Sequence, residues 1–113
     1  LEKVFYSLEK KLFQDKGFGS LYKGLIATGD MFISDSRKIK ELSEEIDGLL
    51  AVEMEGGAFA QVAKQENFDW IVIRVISDGA DECAHDEFSQ FLEKYKLKSF
   101  ILIKYFLCAL LDL

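Results

Sequence analysis

The chain has 113 residues, no proline, a net charge of −6, half of its residues hydrophobic and 30% charged. That length holds one small domain with a core, and that balance excludes a disordered chain. The acidic excess, with no Lys/Arg cluster interleaved with aromatics, excludes a nucleic-acid backbone as partner and serves solubility instead.

In chain order, Leu1, Val4, Phe5, Leu8 and Leu12 recur at helical spacing with charges between them, which predicts an amphipathic helix ended by Gly17 to Ser20. The opening residues lack a basic stretch followed by an apolar one. They are not a signal peptide, and the chain reads as a fragment whose upstream part is missing. Leu21 to Thr28 reads as a strand. Ser34, Asp35 and Ser36 offer caps for a second helix carrying Ile39, Leu42 and Ile46 on one face, closed by Asp47-Gly48. Leu49 to Val52 reads as a strand running into Glu53-Met54-Glu55. Gly56-Gly57 then turns the chain into a third helix with Ala58, Phe59, Val62 and Ala63 as its packed face.

Trp70 to Ile76 is the strongest strand signal, apolar except for Arg74, as suits a strand covered on both faces. A polar loop from Ser77 to His85 follows. Asp86 is placed to cap one long last helix with the stripe Phe88, Phe91, Leu92 and Tyr95. Beyond Ser99 this helix is apolar on nearly every side, so it must be buried or lie against a second subunit. Its Phe100–Leu111 stretch is interrupted by Lys104 and is shorter than the ~20 apolar residues a membrane span needs. The alternation of helices and strands predicts a three-layer α/β architecture. Cys83 and Cys108 match no metal or redox spacing and read as reduced structural thiols. With His85 the single histidine, no zinc site is expected.

Two places carry chemistry. In Glu53-Met54-Glu55, alternate strand residues point to one face, so both carboxylates project together and need hydrogen-bond donors to tolerate each other. The same residues also fit a solvated strand edge entering a helix, where acidic groups suit the helix dipole. Ser77-Asp78 stands at the carboxyl end of an apolar strand, where ligands bind in α/β sheets and where desolvation readies a carboxyl for acid catalysis. Ser-Asp-Gly is equally ordinary turn chemistry.

Four blocks in order decide between these readings. Ala51-Val52-Glu53-Met54-Glu55-Gly56-Gly57-Ala58 and Arg74-Val75-Ile76-Ser77-Asp78-Gly79-Ala80-Asp81 resemble the paired signature of the 5'-methylthioadenosine/S-adenosylhomocysteine nucleosidases. Gly24 to Ile33 resembles their base-binding segment, and Asp86 to Leu92 the start of their last helix. The resemblance implies a three-layer α/β/α fold with a mixed central sheet, of which residues 1–113 form the C-terminal part of a single nucleosidase domain. It implies hydrolysis of the N-glycosidic bond of an adenine nucleoside, no cofactor, a homodimer and a cytoplasmic location.

Roles follow by position. Asp78 matches the proton donor to purine N7, oriented by Ser77. Glu55 matches the carboxylate that holds the ribose hydroxyls, Met54 packs on the sugar, and Glu53 belongs to the same substrate-binding motif. Phe32 matches the ring that stacks on adenine, Ile33 offers its main chain to the base edge, and Phe88 belongs to the base pocket. Arg74 matches a positive charge near the ribose carboxylates. The family's water-activating glutamate and its glycine-rich segment beside the sugar lie in an N-terminal half and have no counterpart in this sequence. Gly57 stands where many relatives carry a small side chain, a departure expected to have no consequence. A nucleoside phosphorylase of the same fold, or an inactive chain, are the alternatives. The Asp78-Gly79-Ala80-Asp81 run favours the hydrolase.

Overall fold

A computed structural model describes residues 2–10, 19–96 and 98–111. The first helix, α1, spans Glu2–Leu8; Leu12 and the first half of the expected break lie outside the described residues. The strand β1 covers Leu25–Thr28, the C-terminal half of the expected stretch. Asp35 caps α2 (Ser36–Glu45): its backbone is extended, its carboxylate accepts the Arg37 amide at 2.8 Å, and its carbonyl accepts the Ile39 amide at 3.1 Å. As expected, Ile39, Leu42 and Ile46 are the half-buried positions of this segment. Gly48, at φ +75°, supplies the left-handed backbone that turns the chain into β2 (Leu49–Glu53).

The two strands pair in parallel, Ala27 opposite Val52 and Thr28 opposite Glu53, with a register shift between Leu25 and Ile26. Parallel neighbours need a crossover, and α2 is that crossover. The Gly29 amide extends the ladder onto the Glu53 carbonyl at 3.0 Å. Thr28 and Glu53 are thereby held side by side at the carboxyl end of both strands. Helix α3 (Gly56–Gln65) follows immediately and packs against β1. Helix α4 spans Ala84–Tyr95 and α5 spans Lys98–Leu110.

Contacts divide the chain into two compact units. One comprises residues 24–91 and holds β1, β2, α2, α3 and every residue singled out for function. The other comprises residues 1–23 and 92–113, where α1 packs against α5 through Leu8 and Ala109, with Val4, Leu21, Leu102, Tyr105 and Phe106 around them.

The α/β class stands, with corrections of detail. The Trp70–Ile76 run joins no ladder: among the described residues the sheet has two strands, both parallel. Apolar, β-branched composition fits a pleated surface, but a strand exists only where a neighbour supplies its hydrogen bonds. Nor is the run covered on both faces, for Ile71 and Ile76 are exposed. The single long last helix is two helices, and it starts at Ala84 rather than after Asp86. Asp81 sets that start, its carboxylate accepting the Cys83 amide at 2.9 Å while its carbonyl accepts the Ala84 amide. In α3 the glycines are the first helical turn rather than a turn before it. Of the expected packed face only Ala63 is buried, and Phe59 and Val62 are exposed. The outer side of α5 is exposed at Phe100, Ile103 and Leu107. No helix among the described residues is long and apolar enough to cross a membrane.

Candidate active site

Direct contacts gather most of the expected site residues into three groups. The first stands where β2 runs into α3. Arg74 reaches across from the 68–79 segment, and its Nη2 contacts the Glu53 carboxylate closely and Glu55 Oε2 at 3.5 Å. Glu53 also accepts the Thr28 hydroxyl, the Glu55 amide at 3.2 Å and the Gly56 amide at 2.6 Å. The like charges of Glu53 and Glu55 are thus reconciled by a shared cation and by the open amides of a helix start. Burial by itself raises the Glu53 carboxyl, but the bonds from Thr28, the Gly56 and Glu55 amides and Arg74 outweigh it and hold it at about 2. Glu55 and Met54 are both exposed.

The second group is the acid loop. The Ser77 hydroxyl donates to Asp78 Oδ2 at 2.6 Å, and the Ala80 amide donates to Asp78 Oδ1 at 2.9 Å. The Asp78–Ala80 bond spans two residues, as in an Asx turn, and Ala80 itself takes a left-handed backbone, φ +56°. The Gly79 amide donates to Glu87 Oε2 at 2.9 Å, so the loop is tied to the first turn of α4. Both Ser77 and Asp78 are half-buried.

The third group is aromatic. Phe32 meets Phe88 edge-on, with ring centroids 6.2 Å apart, and stacks on His85 at 4.7 Å. These rings offer an apolar π-surface of the kind a purine stacks on. Ile33 lies beside them in sequence and is half-buried. His85, Glu87 and Phe88 share the start of α4, so one helical turn supports both the rings and the acid loop.

Three participants escape a reading by pattern. Thr28 and Glu87 act through partners distant in sequence. His85, considered only as a zinc ligand, serves as a ring against Phe32; being the single histidine beside an aromatic-rich block was its only signal. Gly57 also departs from expectation. A Cβ there would lie 2.9 Å from Thr28 Cβ and Oγ1, so the glycine is required by its neighbour. Among the described residues no cluster of His, Cys, Asp and Glu is arranged to hold a metal, and both cysteines are free thiols.

Residues 6–107 match the model of the phosphorylase superfamily. The chain belongs to that superfamily. Within it, the chain is similar to 5'-methylthioadenosine/S-adenosylhomocysteine nucleosidases. It is 42% identical to that of an Exiguobacterium species over 71% of this chain and 34% of the relative. It is 36% identical to that of Bacillus cereus over 87% of this chain and 42% of the relative. The Streptococcus pneumoniae nucleosidase, solved with the transition-state inhibitor MT-ImmA, matches at a TM-score of 0.80 and 36% identity, over 96% of this chain and 45% of that one. The Streptococcus pyogenes S-adenosylhomocysteine nucleosidase, solved with 5-methylthiotubericidin, matches at a TM-score of 0.75 and 35% identity, over 91% and 43%. The chain therefore spans less than half the length of the relatives it matches.

Proposed function

We propose that the protein carrying this chain hydrolyses the N-glycosidic bond of an adenine nucleoside, 5'-methylthioadenosine or S-adenosylhomocysteine, and releases adenine. The observation that carries this reading is the arrangement at β2 and the 68–79 segment. Arg74 contacts both carboxylates of the Glu-Met-Glu motif, and the same segment leads directly into a carboxylate oriented by Ser77 and Ala80. Its similarity to nucleosidases, one of them solved with a transition-state inhibitor, supports it.

Cleaving a ribosyl C–N bond leaves electron density on the purine and cationic character on the sugar. Asp78 donates a proton to N7 and so neutralises the departing base. Glu55 holds the ribose hydroxyls beside Met54, and its negative charge favours the cationic sugar. Phe32 stacks on adenine with Phe88 at its edge, and the Ile33 main chain meets the base edge. Water then attacks the anomeric carbon, and no residue of this chain is assigned to activate it. A phosphorylase would use the same groups with phosphate as acceptor; the run from Asp78 to Asp81 favours water.

We further assign the enzyme to a homodimer in the cytoplasm. Supporting the first is the exposed apolar stripe Phe100, Ile103 and Leu107 on α5; supporting the second, the two free thiols.

The test is Asp78→Asn. The amide keeps the shape of the loop but has no acid proton, and general acid catalysis contributes ~10²–10⁴-fold. Adenine release should fall by about that factor while 5'-methylthioadenosine still binds. An Asp78→Asn variant that works at the parent rate removes Asp78 from the mechanism.

A further inference from the structure

Glu53 and Glu55 belong to one motif, yet the chain treats them oppositely. The Glu53 side chain is 10% exposed and that of Glu55 is 76% exposed. Four donors of the chain converge on Glu53: the Thr28 hydroxyl on Oε1, and the Glu55 amide, the Gly56 amide and Arg74 Nη2 on Oε2. A carboxylate has about four lone-pair sites, so little capacity is left for a sugar hydroxyl. The two glycines make room for this node. A Cβ on Gly56 would stand 3.0 Å from both Glu53 oxygens, and one on Gly57 would strike Thr28. The Thr28 hydroxyl in turn accepts the Gly57 amide at 2.7 Å, which closes the node around the start of α3.

We propose that Glu53 is a positioning residue whose task is to draw the Arg74 guanidinium against itself, so that Glu55 keeps only its 3.5 Å contact with Arg74 and stays open to the ribose hydroxyls. The reading of Glu55 as the sugar-holding group rests on the proposed function; the competition between the two carboxylates for Arg74 does not. Arg74 Nη2 lies against Glu53 and 3.5 Å from Glu55, so both compete for one cation and Glu53 wins. Glu53 wins because three other donors hold its carboxylate in place, whereas Glu55 stands in solvent. Without that charge, the guanidinium turns onto Glu55 in a charge-assisted pair, which a hydroxyl must then displace.

The consequence depends on context: removing Arg74 helps nucleoside binding once Glu53 is gone. The experiment compares the protein carrying this chain with Glu53→Gln, Arg74→Gln and the double variant. Thr28→Val serves as a second, milder way to loosen the node. Carbodiimide-driven amidation of Glu55, read by peptide mass spectrometry, reports whether Glu55 is free without any nucleoside. KM and kcat for 5'-methylthioadenosine report the consequence.

Glu53→Gln should lower Glu55 labelling and raise KM about fivefold, with a smaller change in kcat. Adding Arg74→Gln should restore labelling and bring KM back by about threefold or more. Thr28→Val should move both readouts in the direction of Glu53→Gln. Unchanged Glu55 labelling in Glu53→Gln and Thr28→Val, or a further rise of KM in the double variant, overturns the positioning role and returns Glu53 to the sugar. The expected labelling pattern in a protein that neither binds nor cleaves 5'-methylthioadenosine supports the positioning role and overturns the nucleosidase reading.

Discussion

At Glu53 burial and hydrogen bonding oppose each other, and hydrogen bonding prevails. Burial raises the carboxyl, while Thr28, two amides and Arg74 bring it from 4.5 down to about 2. Because the folded value lies below the unfolded one, the stabilisation is present in full above about pH 4.5. It is lost as the pH falls towards about 2. Glu53→Gln carries no such dependence, so the gap in melting temperature between parent and variant should shrink as the pH is lowered through that window. A gap that stays constant would contradict the node as described.

Gly57 gives a second test at this scale. An ordinary helical Gly→Ala change stabilises by ~1 kcal/mol. Here the new methyl meets Thr28 Cβ and Oγ1 at 2.9 Å, so the sign reverses. Gly57→Ala should destabilise by ~1–3 kcal/mol, the usual range for overpacking, as measured by denaturant unfolding. A gain in stability would show that Thr28 yields at no cost.

Among the elements, those built from neighbouring residues were legible in advance. Asp35 caps α2 through bonds two and four residues away, and Asp47-Gly48 ends it with the one residue type that takes φ +75° without strain. Asp35→Ala should therefore cost ~1 kcal/mol in thermal or chemical unfolding. A neutral result would mean that the bonds Ser36 makes to Glu82 fix the same helix start. Where a distant partner decides, local composition alone was not enough. Whether Trp70–Ile76 is a strand depends on a neighbouring strand, which its own composition cannot specify. Likewise, nothing local joins Thr28 to Glu53; only the parallel register brings them side by side. The break between α4 and α5 carries neither glycine nor proline, so a reading by periodicity ran through it.

The candidate site divides in the same way. The Ser77–Asp78 and Glu53–Glu55 blocks were visible because each is contiguous and because four blocks in order resemble one family. Their mutual arrangement was not visible. Arg74 bridging the two carboxylates, and Glu87 tying the acid loop to α4, are products of the fold.

For the molecule as a whole, the apolar content exceeds what the chain buries. Among the described residues Leu8, Ala63, Ala84 and Ala109 are the fully buried apolar side chains, while Trp70, Phe59 and Phe100 stand exposed. The residues placed in the reaction lie within the 24–91 unit, and the relatives it matches are more than twice as long. In the proposed mechanism the base-protonating and sugar-holding groups lie on this chain, and the activation of water is unassigned. The proposed acceptor is water, because the Asp78-Gly79-Ala80-Asp81 run resembles the hydrolases of the superfamily. The most direct measurement follows the products of 5'-methylthioadenosine with the protein carrying this chain, in phosphate-free buffer and with inorganic phosphate added. With water as the acceptor, adenine and free methylthioribose form at the same rate in both. Adenine formed only with phosphate, accompanied by a sugar 1-phosphate, would contradict it.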